Sequence, residues 1–240
     1  MTGDNSDPDA AAPPADTGAR AETVPAGEVR AAARASAIAT GRGDDGTTGL
    51  LYGGDRIPKD DLRAEAYGTL DETVAALGLA RAELDMRRRL DLLPPGLAEL
   101  EAVVLRIQRE LFVAGAELAT NPAAWDRQRD GVTRVSSEMV AGIDALLADY
   151  EARIELPGEF VVAGETWPSA ALELARTILR RAERRVVALD REGLVPGPNL
   201  LPYLNRLADL LWVLARVAEQ AEARSSTVAR PGDAASGEPA

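Results

Sequence analysis

The run Leu172-Glu-Leu-Ala-Arg-Thr-Ile-Leu-Arg-Arg-Ala-Glu-Arg-Arg-Val-Val-Ala-Leu189 sets Leu172, Ala175, Leu179, Ala182, Val186 and Leu189 three and four residues apart in strict alternation. That spacing is the apolar face of an amphipathic helix, and it is sustained long enough to decide the local structure. With Leu172 at zero and about 100° per residue, the apolar positions fall between about 260° and 360°. Arg176, Arg180 and Glu183 fall between about 20° and 80°, directly beside the stripe, while Arg181 and Arg185 point away toward solvent with Arg184 between. Two readings of these charges are open. They form a solvated face with Arg/Glu pairs contributing ~0.2–0.5 kcal/mol each, or they mark the core border, where a buried ion pair or an anion site would sit.

Four further stripes share the period. They are Tyr67, Leu70, Val74, Leu77 and Leu84; then Leu97, Leu100, Val104, Ile107, Leu111 and Ala114; then Val132, Val135, Met139, Ile143, Leu146 and Tyr150; and last Leu204, Leu207, Leu211, Leu214 and Ala218. Pro94-Pro95, Asn121-Pro122, Pro157-Gly158 and Pro196-Gly197-Pro198 separate them as helix stops. Five helices of roughly 20–28 residues with short connections predict an all-α, ferritin-like, five-helix antiparallel bundle. Only residues 39–58 and 158–166 lack the helical period. Residues 1–36 hold Pro8, Pro13, Pro14 and Pro25 among small and acidic residues, and 224–240 are similar in kind. Neither can bury enough apolar surface to offset ordering entropy, so both are expected to be disordered tails around a domain at 37–223.

Composition narrows the chemistry. The 240 residues carry 39 acidic and 27 basic side chains, a net charge of −12, no Cys and no His. A net acidic chain argues against nucleic-acid binding. No stretch approaches a membrane span, and the N-terminus has no apolar signal region, so the expected location is cytoplasmic. Disulfides, thiolate or imidazole metal sites and His-based nucleophilic systems are excluded. Lys59 is the one lysine, a compact charge against a background of flat guanidinium forks. It closes a loop, Thr40-Gly-Arg-Gly-Asp-Asp-Gly-Thr-Thr-Gly49 followed by Gly53-Gly-Asp-Arg-Ile-Pro-Lys59, that taken alone reads first as a flexible linker and second as a backbone cradle for phosphate oxygens. It is no Walker A motif. At the opening of the last helix, Asn205, Asp209 and Arg216 fall along one edge as surface polars or as ligand contacts.

Taken together in order, GDDGTTGL (43–50), K-D-D-L-R-x-E-A-Y-G-T-L-D-E (59–72), R-I-Q-x-x-L-F-x-x-G-A-E-L-A (106–119), A-R-T-x-x-R-R-A-E-R-R-V-V (175–187) and Y-L-N-R-L-x-D-L-L (203–211) closely resemble the PduO-type corrinoid adenosyltransferases. The likeness runs from about Gly43 to Ala218. It implies a homotrimer of five-helix bundles with each active site in a cleft between two subunits. The implied reaction moves the 5′-deoxyadenosyl group of ATP to the cobalt of cob(I)alamin, giving adenosylcobalamin and triphosphate. ATP, Mg²⁺ and the reduced corrinoid are the implied cofactors and substrates, with a flavin reductase and an adenosylcobalamin-dependent enzyme as further partners. Cob(I)alamin is itself a strong nucleophile, so a chain without a side-chain nucleophile or His base suffices.

Position by position, the resemblance makes Gly43, Asp44, Gly46, Thr47 and Thr48 the ATP loop, with Lys59 near the phosphates. Arg180, Glu183 and Asn205 become ATP contacts, Glu183 also a Mg²⁺ contact. Arg176 pairs across the subunit interface with Asp71, and these two join Arg180 and Glu183 as the catalytic set. Phe160 closes on the corrinoid and displaces its lower ligand. The chain departs from the family pattern at Gly41-Arg42, Val74, Glu173 and Val162-Ala163-Gly164-Glu165. The last departure replaces a tight Pro/Gly turn, predicting a more mobile corrinoid loop and leaving Glu165 to face the corrin or the solvent. These departures motivate an alternative, a non-catalytic trimeric module that binds or delivers ATP or adenosylcobalamin.

Overall fold

A computed structural model describes residues 38–230. The tails expected at 1–36 and 231–240 lie outside the described residues. The chain divides into two compact units, one ending at Asp44 and one beginning at Asp45. Of the first, residues 38–44 are described, a short turn in which the Asp44 amide donates to the Gly41 carbonyl (3.4 Å).

The second unit is helical. A two-residue hairpin, β1 (Thr47–Thr48) with β2 (Ile57–Pro58), leads into α1 (Leu62–Arg89). Then come α2 (Leu100–Ala119), α3 (Ser137–Glu151), β3 (Val161–Val162), α4 (Trp167–Arg191), α5 (Leu200–Ala221) and β4 (Thr227–Val228). Five long helices correspond to the five stripes. Three of their starts carry side-chain caps for the first amides, which have no intrahelical acceptor. Asp61 caps α1 by accepting from the Arg63 amide (2.8 Å), Ser136 caps α3, and Thr166 forms a reciprocal capping box with Ser169 at α4.

Successive helices alternate in direction. α1 packs on α2 and on α4, α4 on α5, and α5 on α3. Gln108 on α2 donates to the Val74 carbonyl of α1 (2.9 Å), and Arg206 on α5 meets Asp144 on α3 (2.7 Å). Leu70, Leu77 and Leu84, Val104 and Ile107, Ile143, Leu172 and Leu179, and Leu204, Leu207, Leu211 and Leu214 are all buried in one core. α5 buries residues on nearly every side, in keeping with the predominance of apolar residues along it.

Two boundaries differ from expectation. Val132 is half exposed in a turn before the Ser136 cap and Val135 is buried just ahead of it, so α3 has 15 residues and its stripe begins at Met139. Residues 224–230, assigned to a tail, include β4, which pairs antiparallel with β3. The two aperiodic segments, 39–58 and 158–166, turn out to contain β1, β2 and β3.

Candidate functional site

A cleft of about 1560 Å³ opens between α4, α5 and the segment that joins α3 to α4. Its helical wall is built from the edge of α4 singled out beside the apolar stripe, carrying Glu173, Arg176 and Arg180, and from Asn205, Asp209 and Trp212 on α5. Phe160 stands on the facing lip with 91% of its surface exposed. Ala229 and Arg230, just past β4, complete that lip.

Two polar clusters organise the helical wall. Nη1 of Arg180 donates to Oε2 of Glu183 (2.7 Å) and to Oδ1 of Asn205 (3.2 Å), joining three expected site residues across α4 and α5. Deeper, Nε of Arg176 donates to Oε2 of Glu173 (2.7 Å), whose other oxygen lies 3.4 Å from Nη2 of Arg216. The same Nη2 also donates to Oε1 of Glu219 (2.7 Å), and Arg216 stacks over Trp212 at 5.4 Å. Arg216 and Glu219 have no exposed surface. Two guanidinium groups thus balance two carboxylates at low dielectric, where removing one partner strands the other at a cost of roughly 3–5 kcal/mol. Nε and Nη1 of Arg216 have no partner among the described residues.

The border reading of α4 therefore holds for Arg176, Arg180 and Glu183. The outer-face placement of Arg181 and Arg185 does not. Arg181 bonds Glu72, and Arg185 pairs with Oε2 of Glu65 (2.7 Å) while donating to the Glu65 carbonyl (3.1 Å). Both reach α1, which covers the opposite border of the stripe. Arg216, expected along a ligand-facing edge, is interior. Asp71 is exposed on α1 without an ion pair among the described residues, and Arg176 has Glu173 instead.

Gly46, Thr47, Thr48 and Lys59 do not line the cleft; they cluster on the hairpin. The hydroxyl of Thr47 donates to Asp45 (2.8 Å) and accepts from Nε of Arg56 (2.6 Å), and that bond to Asp45 holds its carboxyl below the usual carboxylate range. The Lys59 amide donates to the Gly46 carbonyl (2.9 Å), closing the loop at a glycine with φ of +79°. Gly43 and Asp44 belong to the first unit. The hairpin is anchored elsewhere: Leu51 exchanges backbone bonds with Ala119 and Asn121 (2.8 and 3.2 Å), and the Asn121 amide donates to the Gly53 carbonyl (2.6 Å).

Sequence reasoning missed Glu219, Asp45 and Arg56. A signal existed for the first, because Arg216 and Glu219 stand three apart, about one helical turn, among the apolar residues that close the last helix. It also missed that Glu165 accepts a hydrogen bond from Thr227 (2.5 Å), which holds the altered turn.

The sequence pattern of the cobalamin adenosyltransferase family matches residues 38–218. A corrinoid adenosyltransferase of Citrobacter freundii is 38% identical over 182 residues, 76% of this chain and 94% of that one. Another, from Bacillus subtilis, is 39% identical over 178 residues, 74% of this chain and 84% of its own. Among solved structures, a variant PduO-type ATP:corrinoid adenosyltransferase from Lactobacillus reuteri complexed with cobalamin and ATP superimposes with a TM-score of 0.68 at 28% identity, covering 80% of this chain and 98% of that one. A second variant from that organism, complexed with ATP, gives a TM-score of 0.67 at 28% identity over 80% and 99%.

Proposed function

The chain belongs to the cobalamin adenosyltransferase family, and on that premise we infer that it transfers the 5′-deoxyadenosyl group of ATP to the cobalt of a reduced corrinoid. The observation that carries this reading is the meeting of Arg180, Glu183 and Asn205 on a cleft wall opposite an exposed Phe160. The corrinoid supplies the nucleophile: its cobalt attacks C5′, the C5′–O bond breaks, and triphosphate leaves. The protein has to orient the two substrates and stabilise the departing charge. Arg180 suits the second task. Glu183 and Asn205 fix its Nη1, which leaves its other N–H groups to meet phosphate oxygens without reorganising. Arg176, held by Glu173, adds a second cation on the same helix edge.

Among the described residues, no three His, Cys, Asp or Glu side chains gather as a metal site. A Mg²⁺ bound with ATP would take most of its ligands from phosphate oxygens and water, with Glu183 the carboxylate suited to join them. Phe160, with its ring fully presented, is the group to rest against the corrin and exclude a lower ligand.

The assembly we propose is a homotrimer. Beside the cleft an apolar groove of about 440 Å³ runs between α1 and α4, with Trp167 77% and Leu79 59% exposed. Ala170 and Leu174 border both hollows, so a second copy seated on the groove would also wall the cleft. It would bring its own hairpin, with Gly46, Thr47, Thr48 and Lys59, and Asp71 of the partner subunit toward Arg176. No helix among the described residues is long and apolar enough to cross a membrane, and a reaction using ATP and cob(I)alamin fits the cytoplasm.

The test is direct. ATP, Mg²⁺ and chemically reduced cobalamin are supplied anaerobically and the corrinoid spectrum is followed. Conversion to the adenosylated spectrum is expected; binding of both substrates without conversion overturns the catalytic reading in favour of a carrier.

A further inference from the structure

The loop that presents Phe160 has almost nothing of its own to hold it. At one end Glu155 exchanges hydrogen bonds with Gln220 (3.2 and 2.6 Å), and at the other Thr166 caps α4. Between those points, the loop's hydrogen bonds among the described residues all run to the chain beyond α5. Val161 and Val162 pair with Val228 and Thr227, the Ala229 amide donates to the Phe160 carbonyl (2.7 Å), and the Thr227 hydroxyl donates to Glu165. The Phe160 ring is exposed, so side-chain packing does not fix it either. The segment is itself anchored, because the Ser226 hydroxyl donates to the buried Glu219 that pairs with Arg216. It also forms part of the site, since Ala229 and Arg230 line the cleft.

Resting on the adenosyltransferase reading of the cleft, we propose that residues 226–230 position Phe160, with Ala229 and Thr227 as positioning residues for corrinoid binding. Neither side chain needs to touch the corrinoid. The Ala229 amide fixes the backbone at Phe160, and Thr227 fixes the turn at Glu165. A loop of this length without those bonds samples many conformations, and a corrinoid that requires one of them binds more weakly by the fraction of time it is formed. ATP, held on the Arg180 side of the cleft, is indifferent to that equilibrium.

The experiment uses the full chain as wild type, Ala229→Pro, Ala229→Gly and Thr227→Val. Proline at 229 removes the N–H that bonds the Phe160 carbonyl; it also asks for a φ of about −65° at 229 and an extended Val228, the latter already supplied by β4. Cob(II)alamin and ATP affinities are measured separately, with the visible spectrum of bound cob(II)alamin reporting how much has lost its lower ligand. Ala229→Pro is expected to weaken cob(II)alamin roughly fivefold to tenfold and lower the ligand-free fraction. ATP affinity should stay within about twofold of wild type, a shift of under half a kcal/mol. Ala229→Gly keeps the N–H and should match wild type, and Thr227→Val should fall between. Wild-type corrinoid affinity and spectrum in both Ala229→Pro and Thr227→Val overturn the proposal. So does an equal loss of both substrates in Ala229→Pro with Thr227→Val unchanged, because the segment would then support the fold in general. If wild type binds no cob(II)alamin, the functional reading itself falls and takes this one with it.

Discussion

Glu117 lies buried near the end of α2, where one carboxylate oxygen accepts from the Val135 amide (2.7 Å) and the other makes no well-formed hydrogen bond among the described residues. Burial pushes its pKa up to about 7. An unfolded chain would ionise this group near 4.5, so between those values the folded state binds more protons and stability falls as pH rises. The full loss is about 3 kcal/mol, complete above pH 7. Glu117→Gln keeps an acceptor for Val135 and removes the titration, so urea unfolding of this variant should be flatter than wild type from pH 5 to 8. Coincident profiles would show that Glu117 is not the titrating group. The α4 arginines divide in another way. Arg180→Ala and Glu183→Ala should each lower turnover about a hundredfold, the scale of losing an oriented charge. Arg185→Ala should leave turnover intact and lose at most ~1 kcal/mol of stability, because its pair with Glu65 is partly screened. Similar small effects on turnover from all three would return that edge of α4 to a solvated face.

The glycine-rich hairpin is held by contact as well as by its own turns. A Cβ built on Gly54 would lie 1.7 Å from Nδ2 of Asn121, at a φ of +95°. Asn121 cannot retreat freely, because its side chain bonds both Gly53 and the Ala123 amide. Gly54→Ala should therefore cost ~1–3 kcal/mol in urea unfolding and weaken ATP binding if the hairpin carries the nucleotide loop. Wild-type values in both measurements would detach the hairpin from that role. The long helices were legible because each imposes a 3.6-residue period over several turns, which α4 displays without interruption. Val132 misled because its spacing continues the α3 stripe by coincidence, whereas Ser136, a plain N-cap, marks the true start. β3 and β4 were illegible for a different reason: two-residue strands have no period, and their pairing spans more than sixty positions of chain. Arg185 was misplaced since a helical wheel knows one helix and not the neighbour that covers its far border.

At the scale of the whole molecule, part of the expected site faces the cleft and the larger part does not. Arg176, Arg180 and Asn205 line it and Glu183 bonds Arg180, while Thr47, Thr48, Lys59 and Asp71 sit on other surfaces of the same subunit. In the proposed trimer these groups would meet between copies, where reasoning on a single chain does not reach. Light scattering at micromolar concentration should give three times the chain mass. Asp71→Ala should raise the concentration needed for assembly or weaken cobalamin binding, yet less than loss of a sole partner would, because Glu173 still neutralises Arg176. A monomeric wild type would remove the trimer. Trp212 on the cleft wall and Trp167 on the apolar groove have an optical consequence. Corrinoids absorb where tryptophan emits, so a ligand entering the cleft would quench Trp212 by energy transfer, while a subunit covering the groove would shift the emission of Trp167 to the blue. The unlabelled chain would thus report substrate capture as intensity and assembly as colour in a single spectrum.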